Sequence, residues 1–289
     1  MFNEAKVMFP PAPPLSRRGF IAASTATAGY TLAAGPVMAQ TIVTTDAQGL
    51  TVGDVKIPVA GGDMGGYRAK PATGSAFPVV IVCQEIFGIH EYIKDTCRRL
   101  AKAGYLAVAP DYYFRQGDPS KAADVPGAVA IANKKPDVEL LADLDATARW
   151  ATTTDGGNPQ KLAITGFCRG GRTTWMYSSH SANVKAAAAW YGPVVGQAND
   201  LTPKFPIDMA ASMKAPVLGL YGAADTGIPV ETVQRMEAAL KAAGKTVEIV
   251  IYPDAPHGFH ADYRPSYRAD PAKDGWNRML AWFKKYGVA

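Results

Sequence analysis

The run Gly166-Phe167-Cys168-Arg169-Gly170-Gly171 sets a thiol two residues from a glycine on either side. A strand that turns into a helix at this spacing turns so tightly that both flanks call for a residue without Cβ. Such a turn lifts the thiol above a sheet and puts it at a helix N-terminus, where the positive end of the dipole favours thiolate. It also presents the N–H of Arg169 as an oxyanion donor. The run therefore reads as a nucleophile elbow with Cys in the position of Ser; the plainer alternative is a buried structural thiol beside a glycine-rich turn. Asp225 lies in Gly222-Ala223-Ala224-Asp225, and His257 in Pro253-Asp254-Ala255-Pro256-His257-Gly258-Phe259. Nucleophile, acid and histidine in this order are the arrangement of elbow-type hydrolases. Cys168 would attack, His257 would exchange protons, and Asp225 would orient the imidazole and stabilise its charged form. Asp254 competes with Asp225 and His260 with His257; position after successive strands favours Asp225 and His257. His90 is expected near the pocket mouth, and His180 at a helix end in solvent.

Glu85, in Gln84-Glu85-Ile86-Phe87-Gly88, directly follows another apolar run and is expected to point into the same pocket. The N–H of Ile86 is the expected second oxyanion donor, because that role belongs to the loop after this strand.

The elements that must hold these residues are legible from hydrophobic pattern. Short runs that are apolar nearly throughout recur at Val79–Cys83, Leu106–Ala109, Leu162–Thr165, Ala186–Trp190, Val217–Tyr221 and Val247–Tyr252. Strands buried on both faces read this way. Helix-period segments lie between them, at Tyr92–Ala103, Val138–Thr152, Arg172–Ser179, Val230–Ala243 and Gly275–Tyr286. The alternation predicts an α/β fold with a mostly parallel, doubly wound sheet in a single domain. A weakly alternating, glycine-studded stretch over 50–70 predicts an edge hairpin, and Gly104 and Gly244 sit where helices need a left-handed terminal residue. Ligands of such sheets bind outside the carboxyl ends of the strands, which is where Glu85, Cys168, Asp225 and His257 fall.

Composition bounds the rest. The 289 residues are 48% hydrophobic and 19% charged, ordinary for a folded chain and too apolar for a disordered one. The net charge of +5 is spread over isolated cations and pairs such as Arg98-Arg99, Lys134-Lys135 and Lys284-Lys285, without the stripe a nucleic-acid partner would need. Part of the excess belongs to residues 1–39, where Lys6, Arg17 and Arg18 stand against Glu4. Ser16-Arg17-Arg18-Gly19-Phe20 has the form of a twin-arginine export signal, followed by an uncharged stretch to Val37-Met38-Ala39. The expectation is a cleaved leader over 1–39, engaged by the Tat translocase, and a mature domain over 40–289 that is periplasmic or secreted. A retained membrane anchor is the alternative, weakened by the Ser, Thr, Gly and Pro in the segment. No His, Cys, Asp or Glu cluster has metal-ligand spacing and no loop has phosphate-binding form, so no metal or cofactor is expected. Three cysteines cannot make a disulfide scaffold; Cys83 and Cys97 read as core thiols, although an exporting cell would permit a disulfide.

With these motifs in view, the chain resembles the dienelactone hydrolase (carboxymethylenebutenolidase) family of α/β-hydrolases. The resemblance rests on Gln84-Glu85-Ile86-Phe87-Gly88, Pro110-Asp111-Tyr112-Tyr113-Phe114-Arg115-Gln116, Gly166–Gly171, Trp190-Tyr191-Gly192 and His257-Gly258-Phe259. It implies an α/β-hydrolase fold and a Cys-His-Asp triad in which Glu85 contacts the resting thiol and gates its ionisation. It further implies that Arg115 binds an anionic group of the substrate, with Tyr113 and Trp190 as further substrate-binding residues; a bidentate Arg suits a carboxylate. In one respect the chain departs from the pattern. Ala261 stands where the family carries a second clamp arginine, and Arg264 and Arg268 are nearby but out of register. The expected activity is cofactor-free cleavage of a small, anionic or neutral ester or lactone through an acyl-cysteine. The alternatives are an exported esterase or thioesterase for another acyl substrate, and a non-catalytic binder of the same fold.

Overall fold

In the computed structural model, residues 43–289 are described; the leader and its cleavage position lie outside them. Eight strands form one sheet in the order β1-β2-β4-β3-β5-β6-β7-β8. β1 (Leu50–Val59) and β2 (Gly62–Pro71) make the expected hairpin, paired antiparallel from Leu50↔Pro71 to Val59↔Gly62. β2 also runs antiparallel to β4 (Leu106–Pro110). From β4 onward the sheet is parallel, through β3 (Phe77–Cys83), β5 (Gly157–Phe167), β6 (Val184–Trp190), β7 (Val217–Gly222) and β8 (Val247–Tyr252).

The described residues also hold six α-helices: α1 (Glu91–Lys102), α2 (Val125–Ala132), α3 (Asp137–Thr153), α4 (Arg169–His180), α5 (Val230–Ala242) and α6 (Ala269–Lys285). Five of them coincide with the helix-period segments of the sequence. The additional one, α2, is short and carries too weak an apolar stripe for periodicity to reveal it; Asp124 caps it by accepting the Gly127 N–H at 2.8 Å. Gly104 and Gly244 adopt φ of 96° and 68° just past α1 and α5, the left-handed conformation that their positions demanded.

The core explains the apolar runs. Every residue of β4 and β7 is buried, as is every residue of β3 except Pro78, because helices cover both faces of the central strands. β8 is at the sheet edge and is only half-buried along its length. Cys83 and Cys97 lie in β3 and α1, both fully buried, and none of the three cysteines is in a disulfide. Burial pushes the Cys83 and Cys97 thiols well up from their ordinary range. Together these features are the single-domain α/β-hydrolase architecture, and they put the carboxyl ends of β3, β5, β7 and β8 along one rim.

The helix that follows the elbow is fixed by a buried ion pair. Arg172 on α4 makes two parallel bonds to Asp137 at the start of α3, at 2.8 and 2.7 Å, and a third to the Lys204 carbonyl at 2.9 Å. Both side chains are nearly inaccessible. Replacing Asp137 with Ala would leave a buried guanidinium without its counter-charge, so urea denaturation is expected to show a loss of about 3–5 kcal/mol; a loss under about 1 kcal/mol would refute this account.

Candidate active site

At the end of β5 the chain enters Cys168 with φ 56° and ψ −118°, and α4 begins at the next residue. This conformation is strained for any residue with a Cβ and persists only where its surroundings enforce it. Here the Cys168 N–H donates to the Trp190 carbonyl at 3.0 Å and the Cys168 carbonyl accepts from Arg172 N–H at 3.2 Å. A Cβ on Gly166 would run into the Gly170 backbone, and one on Gly170 into the Cys83 carbonyl. The two flanking glycines are therefore what allow the elbow to press against β3. Arg169 is the first residue of α4, so its N–H is one that a helix leaves without an intrahelical acceptor. Ile86, the other expected oxyanion donor, is buried in the loop after β3.

Asp225 and His257 meet as the strand ends predict. His257 Nδ1 lies 2.7 Å from Asp225 Oδ2, while Asp225 Oδ1 accepts the Gly227 and Ile228 N–H groups at 2.9 and 3.1 Å. The carboxylate is thus held by backbone on one side and presents its other oxygen to the imidazole. Cys168 is within hydrogen-bonding reach on the far side of the ring. Burial works against a charged imidazole. The negative charge of Cys168 and the bond to Asp225 outweigh it, and His257 is pushed up to about 10. The competing residues fall elsewhere. Asp254 is exposed, and His260 is buried in the core, stacked on Phe167 and Trp276 with Nδ1 2.6 Å from the Tyr92 hydroxyl. His180 pairs with Asp145 at the surface, at 2.8 Å.

Glu85 is completely buried and surrounded by donors. It accepts the Tyr263 hydroxyl at 2.6 Å, stands 3.2 Å from Arg264 Nη2, and has His90 Nε2 at 3.4 Å. Burial opposes its charge, yet Arg264, His90 and Tyr263 together hold the carboxyl down at about 2. Glu85 is therefore a permanent anion at any working pH, and its carboxylate is engaged by the loop after β8. Arg264 and Tyr263 were not assigned from sequence. Arg264 lies seven residues after His257, and only the irregular path of the intervening loop brings it back over the site, where it crosses the faces of Phe87 and Tyr263. Tyr191 was also missed. It has φ 36°, packs edge-on against His257 with ring centres 5.1 Å apart, and is fully buried. Its place in the Trp190-Tyr191-Gly192 motif was the available signal.

Two of the three substrate-binding expectations meet a different geometry. Arg115 is held away in an ion network: its guanidinium bonds Asp143 at 2.9–3.2 Å and the Ala60 carbonyl at 2.6 Å, with Glu139 at 3.4 Å. It lines a cavity of about 410 Å³ with Val59, Ala60, Glu139, Asp143 and Arg149, to which no triad residue contributes. Asp143 on α3 is the cause, a buried carboxylate that needs cations and takes both Arg115 and Lys135. Trp190 is a packing residue. Its indole is fully buried against Phe167 and His260, with Nε1 donating to Thr165 Oγ1 at 3.2 Å, and it is the backbone of Trp190 that serves the elbow. Tyr113 does face the site. It is buried edge-on against Tyr112, and burial pushes its hydroxyl up to about 12, against the opposing pull of the Arg169 charge.

A cysteine on a strained elbow, with His and Asp at the next strand ends, defines an α/β-hydrolase. A model of the dienelactone hydrolase family matches residues 64–287. A Methylorubrum extorquens protein named "Putative carboxymethylenebutenolidase" is 56% identical over 276 residues, covering 95% of this chain and 94% of that protein. An Escherichia coli K12 protein of the same name is 51% identical over 267 residues, covering 92% and 98%. The crystal structure titled a putative dienelactone hydrolase from Klebsiella pneumoniae has a TM-score of 0.80 at 53% identity, over 82% of this chain and 99% of that one. The chain belongs to the dienelactone hydrolase family, and it is a hydrolase.

Arg264 is the main counter-charge of Glu85, and this sets a pH signature. Because Glu85 is depressed in the folded chain relative to an ordinary carboxyl near 4.3, its contribution to stability is present above about pH 4 and lost as pH falls toward 2. In Arg264→Met the buried carboxylate lacks its guanidinium, so stability at pH 7 should fall by about 3–5 kcal/mol. The deficit should narrow on acidification, as Glu85 of the variant takes up a proton. Denaturation curves at several pH values test this, and a deficit independent of pH would contradict it.

Proposed function

We propose that this chain hydrolyses the ester or lactone bond of a small substrate through an acyl-cysteine on Cys168. The observation that carries the proposal is the elbow itself: Cys168 at φ 56°, with His257 in reach and His257 bound to Asp225 at 2.7 Å. The Cys168 thiolate attacks the acyl carbon, and the N–H groups of Ile86 and Arg169 take the developing oxyanion. His257, raised and therefore protonated when it faces a thiolate, gives its proton to the leaving alkoxide. Water then enters, loses a proton to the now neutral imidazole and attacks the thioester; collapse returns the thiolate and releases the acid. Asp225 keeps Nδ1 protonated and stabilises the imidazolium at each step. Glu85 remains bound to Tyr263 and Arg264, whose donors balance its buried charge.

The names of the relatives point to a lactone of the carboxymethylenebutenolide type as the substrate class. Both candidate arginines hold carboxylates, Arg115 with Asp143 and Arg264 with Glu85. An anionic group on the substrate that binds either of these arginines has to displace its carboxylate, whereas a neutral ester does not. Cys168→Ala is expected to abolish hydrolysis of p-nitrophenyl acetate while circular dichroism stays native, and Asp225→Asn to lower kcat by about 10²–10⁴ with KM little changed. Full activity in Cys168→Ala would end the acyl-cysteine reading. Rates on a panel of lactones, acyl esters and thioesters would then fix the substrate class.

Export by the twin-arginine route, with cleavage after Ala39, is proposed from Ser16-Arg17-Arg18-Gly19-Phe20 and Val37-Met38-Ala39. Periplasmic material is expected to begin at or near Gln40 by mass spectrometry, and replacing Arg17 and Arg18 with Lys should keep the protein in the cytoplasm. Met1 found on the periplasmic form would refute cleavage.

A further inference from the structure

Residues 253–268, which carry His257, Tyr263 and Arg264, contain neither helix nor strand. Their geometry must be imposed by contacts from elsewhere. Asp262 directly precedes Tyr263, and its side chain is completely buried. Its Oδ2 accepts two bonds: Arg99 Nη2 from α1 at 2.9 Å, and the backbone N–H of Val43 at 3.0 Å. Its Oδ1 has no hydrogen-bond partner among the described residues, where the bonds of the side chain run through Oδ2. Arg99 in turn pairs through Nε with the buried Asp95, and Asp95 accepts the Thr45 N–H at 2.6 Å. Arg98 closes the circuit by donating from Nε to the Thr45 carbonyl at 2.7 Å. Lys102 adds bonds to Asp46 Oδ1 and the Gln48 carbonyl, each at 2.7 Å.

The segment over 43–46 is thus laid along α1 and fastened mainly through its own peptide groups. Two buried carboxylates, Asp95 and Asp262, share the Arg99 guanidinium; Asp95 also takes Arg98 Nη2 at 3.1 Å, and each accepts an amide of this segment. A buried carboxylate that loses a donor bears the desolvation cost of that lone pair. Losing the Val43 amide would therefore weaken the hold on Asp262, and through the adjoining peptide bonds move Tyr263 and Arg264.

We propose that residues 43–46 form a positioning strap for the active-site loop, acting through Asp262 to set where Tyr263 and Arg264 stand against Glu85. The strap rests on the reading of Cys168, His257 and Asp225 as the catalytic residues. It begins four residues beyond Ala39, so a leader cut at that point leaves it whole. Because Arg264 pairs with Glu85 and its charge also acts on Cys168, displacing the strap changes the electrostatics of catalysis as well as stability. Displacements of about 1 Å distant from the chemistry can cost on the order of a hundredfold in rate.

The test uses two variants of the whole protein. Val43→Pro removes the one backbone N–H that Asp262 accepts and leaves every residue of the loop unchanged. Asp262→Asn keeps the side chain's shape and removes its charge. Each is compared with wild type for kcat/KM on p-nitrophenyl acetate as a function of pH, at a temperature where denaturation curves show it fully folded. The expected result is a loss of about tenfold or more in both, with the pH profile displaced from that of wild type. Should Asp262→Asn fail to fold, Val43→Pro decides alone. Wild-type kcat/KM with an unmoved profile overturns the strap, as does a loss that only follows the unfolded fraction. Failure of the acyl-cysteine reading shows instead as activity surviving Cys168→Ala, a result that these variants, whose catalytic residues are intact, do not depend on.

Discussion

The site depends on one strained residue. Cys168 occupies a backbone region that residues with a Cβ avoid, and the cost, on the order of 1–3 kcal/mol, must be met by its surroundings. Those surroundings are the ends of β5 and β6, the first turn of α4 and the two glycines that let it approach β3. The return is geometric. The thiol is lifted out of the sheet, the Arg169 N–H is presented beside it, and the reacting group sits at a helix N-terminus. Arg172 and Asp137 then pin α4 from outside. A relaxed conformation at Cys168 would lower the thiol into the sheet and remove its distance from His257 as a fixed quantity.

Around this residue the chain buries more charge than a core ordinarily tolerates, and it does so in balanced groups. Asp225 stands with His257, and Glu85 with Arg264, Tyr263 and His90. Desolvation acts against the charges of Glu85 and His257, and each is nonetheless favoured in its charged form by partners at 2.6–3.4 Å. The bonds of Glu85 to the loop after β8 supply the donors that a fully buried carboxylate requires. The same loop thus supplies the histidine for one group and the guanidinium for the other.

That loop has no secondary structure of its own, so its precision is borrowed. Asp225 holds His257, Glu85 holds Tyr263 and Arg264, and Asp262 is fastened to α1 and to the segment before β1. Arg115 shows the opposite outcome. It too follows a strand end, yet Asp143 on α3 offers a buried bidentate carboxylate and draws the guanidinium to the side of the hairpin.

The strands, five of the helices, the hairpin and the elbow were legible in the sequence because each follows from local physics: apolar runs for strands buried on both faces, a 3.6-residue period, glycine where Cβ cannot fit. Cys168, Asp225 and His257 could be selected because strand ends in such a sheet converge on one rim, so that order along the chain becomes proximity. Tyr191, Tyr263 and Arg264 could not. Their places depend on a strained residue after β6 and on an irregular loop whose path is set by partners up to 219 residues away, as Val43 is from Asp262. For the same reason Arg115 and Trp190 could be located in motifs but not oriented. Which way a side chain turns is decided by competition among buried charges and packing partners, and those competitors come together only when the chain is folded.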